Sequence, residues 1–152
     1  MSEIETIELA QDLPICRILN GMWQVAGGHG QINHDSAISQ MLQYNETGFN
    51  TWDMADIYGP AESFYGDFRK TLEKKKGKEE LEKIQGLTKF VPNPGPMTRS
   101  IVEHYIEQSM KKNTSWQPDL YHCSKAVTDD IASNCREIVT CLWWQDNERW
   151  LD

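Results

Sequence analysis

An Asp, a Tyr and a Lys in this 152-residue chain would form a site, not a core, if gathered at the carboxyl ends of neighbouring parallel strands. Asp53 interrupts the apolar and aromatic run Phe49 to Ala55, and Tyr58 follows five residues later, just before Gly59-Pro60. A carboxylate at the end of a core strand is costly unless a cation meets it. Lys89 is the natural candidate, at the end of the next strand-like run, Ile84 to Val91. The carboxylate would hold the ammonium charged and oriented. An ammonium beside a phenol favours the phenolate and so helps the proton leave. An unperturbed tyrosine, with a pKa of about 10, donates poorly near neutrality without such a neighbour. The bland alternative is a structural Asp53–Lys89 ion pair beside a tyrosine that only packs.

For these groups to meet, the elements carrying them must lie side by side. Gly48 precedes the run that ends in Asp53, and Gly59-Pro60 closes it, as expected of a buried strand followed by a turn and a helix start. Upstream, Ile15 to Val25 reads as a strand, with Gly21 where a backbone could come close to something. Residues 1 to 12 read as a frayed arm or short edge element. The loop Ala26 to Gly30 is glycine-rich but lacks the Gly-x-Gly-x-x-Gly order of a dinucleotide fingerprint, so a plain connecting loop is expected.

Asp35 is an expected N-cap for a first helix with Ala37, Ile38, Met41 and Leu42 on one face, and Gly48 is its stop. A second helix starts at Pro60 with the stripe Ala61, Phe64, Tyr65, Phe68 and Leu72, ordinary core packing against a sheet. The mixed-sign run Lys70 to Lys83 reads as a solvated helix end and loop. A third helix presents Ile101, Val102, Tyr105, Ile106 and Met110, capped either by Ser100 with Glu103 or by Thr98. Strand and helix thus alternate three times, which predicts an α/β fold with a parallel sheet and helices outside it. Alternation alone does not separate an open doubly wound sheet from a barrel.

Composition excludes several functions. A net charge of −8 argues against nucleic acid as a partner. No apolar run is long enough to cross a bilayer. The acidic start Met1-Ser2-Glu3-Ile4-Glu5-Thr6 lacks the order of a secretory signal, so a cytoplasmic location is expected. Cys16, Cys123, Cys135 and Cys141 form no Cys-x-x-Cys pair, and His29, His34, His104 and His122 show no zinc spacing, so reduced structural thiols and no metal are expected.

The stretch Trp52-Asp53-Met54-Ala55-Asp56-Ile57-Tyr58-Gly59-Pro60-Ala61-Glu62 resembles the aldo-keto reductase signature around its catalytic Asp and Tyr. Leu87-Thr88-Lys89-Phe90 is similar to that family's lysine strand, and Gly21-Met22-Trp23-Gln24 to its first barrel strand and loop. The resemblance covers about residues 13 to 112. It implies a (β/α)₈ barrel, NADPH as hydride donor and a small-molecule carbonyl substrate. It also implies Tyr58 as proton donor, assisted by Lys89 and Asp53, with Gly21, Trp23 and Asp53 bordering the cofactor and substrate pocket.

Beyond Lys112 the family pattern fails. The histidine that completes the family's tetrad falls on Ser124 if Asp119-Leu120-Tyr121 is the fourth strand, with His122 about 7 Å short of that place along the strand. It falls on Leu142 if Trp143-Trp144-Gln145-Asp146 is matched instead, which is the preferred alignment and makes residues 113 to 142 an unmatched, inserted or disordered segment. A complete barrel of this kind needs roughly 250 residues. Residues 1 to 152 are therefore expected to form a partial barrel, its first three to four βα units, with impaired turnover and with open sheet edges that favour self-association. The competing reading is a non-catalytic oligomerisation or regulatory module, or an inactive truncated product, on the same half barrel.

Overall fold

The computed structural model describes residues 4–10, 13–27, 30–91, 98–112 and 120–123. The chain opens with an antiparallel hairpin of β1 (Thr6–Ala10) and β2 (Leu13–Cys16), in which Ile7 pairs with Ile15. A parallel sheet follows: β3 (Asn20–Gly21), β4 (Thr51–Asp53), β5 (Gln85–Phe90) and β6 (Leu120–Cys123). Between these strands run α1 (His34–Glu46), α2 (Ala61–Lys76), the single turn α3 (Lys78–Leu81) and α4 (Arg99–Lys112).

The order of the parallel strands in space is their order in the chain. A doubly wound sheet reverses its strand order at a switch point; successive units of a (β/α)₈ barrel do not. The described sheet is thus four consecutive barrel strands, and the fold is a partial barrel.

The single strand expected over Ile15 to Val25 is three elements. Leu13, Ile15 and Cys16 are buried in the hairpin, and the Cys16 amide donates to the Thr51 hydroxyl at 3.0 Å. The chain then turns through the exposed Ile18 and Leu19 before Asn20 draws it beside β4, its side-chain amide donating to the Phe49 and Thr51 carbonyls at 2.9 and 3.1 Å. After Met22 the chain coils into a 3-10 helix, Trp23–Ala26. Of the two readings for the N-terminal residues, a frayed arm or a short edge element, residues 6–10 take the second: they form β1, the partner strand of that hairpin.

Alternation along the strands sorts side chains to two faces. Trp52 faces the helices and is fully buried, its ring 5.2 Å from Phe68 and 6.4 Å from Tyr65 of α2. All five residues of the predicted α2 stripe are buried, as are Ile38, Met41 and Leu42 of α1. Asn33, not Asp35, caps α1: its side chain accepts the Ser36 amide at 2.9 Å, and Asp35 lies in the first turn. Thr98 caps α4, accepting the Ile101 amide. Of the expected α4 face, Val102 is buried and Tyr105, Ile106 and Met110 are half-buried, with Ser109 buried among them, whereas Ile101 at its edge is exposed. The Tyr105 ring lies 4.9 Å from Phe90.

Candidate active site

Asp53 ends β4, in register with Gly21 of β3 and Leu87 of β5. The chain keeps to β5 for three more residues: the Met54 amide donates to Leu87 O at 2.8 Å and the Asp56 amide to Lys89 O at 3.0 Å. It then folds back, with Tyr58 N donating to Ala55 O and Ala61 N to Tyr58 O, and α2 begins. Gly59 adopts φ +55°, and a Cβ there would lie 3.3 Å from Ala26 Cα. Glycine thus lets this turn sit directly against the 3-10 helix.

That packing brings two aromatic rings together. Trp23 and Tyr58 meet edge to face with centroids 5.0 Å apart and planes at 76°. Lys89 enters from β5: its ammonium donates to Asp53 Oδ1 at 2.5 Å and to the Met54 carbonyl at 2.8 Å. It also lies over the Tyr58 ring, 5.1 Å from the centroid. The Asp53 and Lys89 side chains are 28% and 24% exposed, so the pair is partly shielded from water yet reachable. Three polar or charged groups from two strands and one turn therefore converge at the carboxyl ends of β4 and β5. Gly21 stands at the same level, and a Cβ built on it would meet nothing within 4 Å. Trp23 leaves 53% of its surface exposed beside these groups.

Two groups at this end of the sheet are not evident from the sequence reading. Met54 supplies a main-chain acceptor to Lys89, which no residue-type pattern announces. Asp56 accepts the Val91 amide with both carboxylate oxygens at 3.2 Å. Burial pushes its carboxyl above the ordinary carboxylate range, against the Val91 amide, which favours the ionised form. An Asp just past a strand end, where its side chain can replace a main-chain group, was the available signal.

The fourth strand place is taken by Leu120–Cys123, with His122 in register with Lys89. The backbone thus follows the alignment that the sequence reading set second. Ser124 and Leu142, the two positions onto which the tetrad histidine was aligned, lie outside the described residues, as does the stretch from Trp143.

The family model described as Aldo/keto reductase family matches residues 17–141. The chain belongs to the aldo/keto reductase family. The match runs past Lys112, where the motif resemblance stops, and includes β6. Among solved structures, the chain is similar to an aldo/keto reductase from Brucella melitensis, with a TM-score of 0.70 and 19% identity over 95% of this chain and 50% of that one. A Pseudomonas aeruginosa protein assigned to the aldo-keto reductases gives a TM-score of 0.72 and 17% identity over 92% and 55%. The Bombyx mori aldo-keto reductase, solved in complex with NADP, gives 0.62 and 20% over 80% and 38%. At such identities the likeness shows the fold. The chain spans about half the length of the first two relatives. No curated protein matches the sequence. Among the described residues no helix is long and apolar enough to cross a membrane.

Proposed function

We propose that the Asp53–Lys89–Tyr58 cluster is the proton-delivering part of an NADPH-dependent carbonyl reductase site. The observation that carries this reading is the position of the Lys89 ammonium, bound to Asp53 at 2.5 Å and lying over the Tyr58 ring. Tyr58 would give its hydroxyl proton to the alkoxide forming on a small-molecule carbonyl. Lys89, cationic beside it, lowers the cost of the phenolate left behind. Asp53 and the Met54 carbonyl keep the ammonium in place, so that no long side chain must reorder as charge develops.

The residues around the cluster suit a flat, partly apolar ring: the Trp23 face is exposed, and the space over Gly21 is open. NADPH would supply the hydride, bordered by Gly21, Trp23 and Asp53. A cytoplasmic setting fits the reading.

Titration of the purified chain with NADPH, followed by cofactor fluorescence, is the first test. Saturable binding that weakens in Trp23→Ala is expected, and no binding at millimolar cofactor defeats the enzyme reading. Where turnover of a model aldehyde is measurable, Tyr58→Phe should lower it by about 10²- to 10⁴-fold. A chain that binds no cofactor but forms a monodisperse oligomer by light scattering would favour the non-catalytic module.

A further inference from the structure

We infer that Asp56 is a positioning residue, whose carboxylate holds the lysine strand in register while the backbone turns away to place Tyr58 over Lys89. The inference rests on the proposed pairing of those two residues.

In a parallel ladder each strand's amides and carbonyls alternate between neighbours, and the contacts of β4 with β5 extend past the end of β4 as Met54 N to Leu87 O and Asp56 N to Lys89 O. The next acceptor due, for the Val91 amide, is the Asp56 carbonyl. Were it used, the chain would continue straight along β5 and Tyr58 would be carried away from the sheet's end. Instead the Asp56 carboxylate accepts the Val91 amide through both oxygens at 3.2 Å. A side chain standing in for its own main chain satisfies the neighbour and frees the backbone to turn at once. Two residues later Tyr58 N closes that turn on Ala55 O.

Asp56 therefore grips β5 on both sides of the residue after Lys89, by its amide at Lys89 and by its carboxylate at Val91. Its carboxylate is half-buried for this purpose. Glu62 of α2 disfavours its charge and Lys112 of α4 favours it. A carboxylate kept half-buried beside a buried like charge is an expensive way to cap one amide unless that amide's position matters.

The test uses the whole chain carrying ¹³C-labelled lysine. The ε-CH₂ protons of Lys89, identified by the loss of their signal in Lys89→Met, should resonate upfield of the other lysines because the ammonium they carry lies over the Tyr58 ring. Tyr58→Leu should abolish the upfield shift. Asp56→Ala should abolish it too, although Tyr58 is still present, and Asp56→Asn, which keeps an acceptor for Val91, should retain most of it. If Tyr58→Leu removes the shift and Asp56→Ala does not, the positioning role is overturned while the Tyr58–Lys89 pair stands. If Tyr58→Leu leaves the signal where it was, the pair itself, and the proposed site with it, is lost. Should Asp56→Ala not fold, hydrogen exchange of the unsubstituted chain decides: a Val91 amide as protected as that of Met54 supports the clamp, and one that exchanges like an exposed loop amide overturns it.

Discussion

The Glu62 carboxylate accepts a hydrogen bond from the Thr88 hydroxyl at 2.9 Å, on the face of β5 opposite to Lys89. Glu62 is 1% exposed, and its second oxygen lies 3.3 Å from the Lys112 ammonium without hydrogen-bonding geometry, so that contact is electrostatic. Thr88→Val keeps the shape and deletes the donor. It should destabilise the chain by about 1–3 kcal/mol in urea unfolding, because a buried carboxylate oxygen is left without its partner. Lys112→Met should cost less, about 1 kcal/mol or below, since that lysine is 37% exposed and water screens it.

Gly59→Ala strains the turn in two ways, through its φ of +55° and through a 3.3 Å approach to Ala26 Cα. A loss of about 1–2 kcal/mol is expected. The diagnostic sign is local: the fluorescence of the 3-10 helix residue Trp23, isolated by difference against Trp23→Phe, should change while the buried core signal of Trp52 does not.

Phe68 is fully buried among Trp52, Tyr65 and the rest of the α2 stripe. Phe68→Ala should cost about 3–5 kcal/mol. Ile101→Ala, on the exposed side of α4, should stay within about 0.5–1 kcal/mol despite removing a similar apolar side chain. Comparable losses for the two would contradict the exposed placing of Ile101.

His34 joins α1 to α2, hydrogen-bonding Asp35 at 3.2 Å and Asp67 at 3.1 Å with its ring edge-on to Phe64. Asp35 first and Asp67 second raise its pKa above 6.5, against a small opposing effect of burial. A raised folded-state value means that the protonated ring is favoured by folding. Its contribution is complete below pH 6.5 and is lost as pH rises through the folded value. The melting temperature of the native chain relative to His34→Gln should therefore fall between mildly acidic and mildly alkaline pH. A difference that is flat or grows with pH would contradict the pairing. Asp67 behaves oppositely: burial works to raise its pKa, but the Lys70 and His34 contacts prevail and lower it. Its share of stability is present above pH 3.8 and disappears in stronger acid.

The parts of the fold that were legible in sequence are those specified locally. The run Phe49 to Ala55, the glycines around it and the α2 stripe each carry their own period and punctuation, so β4, its turn and α2 lie where the residues place them. Asp53, Tyr58 and Lys89 could be grouped because each ends an element of that kind. The first strand was misread for the opposite reason. Ile15 to Val25 is mostly apolar, and period alone cannot show that β2 finds its partner in β1 while Asn20 finds its own in Phe49 and Thr51. The caps at Asn33 and Thr98 turned on which of two equally suitable side chains was in reach. The Asp56–Val91 and Glu62–Lys112 contacts join residues 35 and 50 positions apart, and no spacing rule links such pairs.

Adjacent side chains of β5 serve opposite faces: Thr88 anchors to Glu62 of α2, and Lys89 binds Asp53 and lies over the Tyr58 ring. A chain that paired this strand one position out of step would present a hydroxyl or a benzyl ring where the amine should stand. It would also drive the amine into the hydrocarbon behind. Misassembled molecules would thereby be unstable and, on the proposed reading, silent as well, so that any turnover would count the correctly threaded fraction of a preparation.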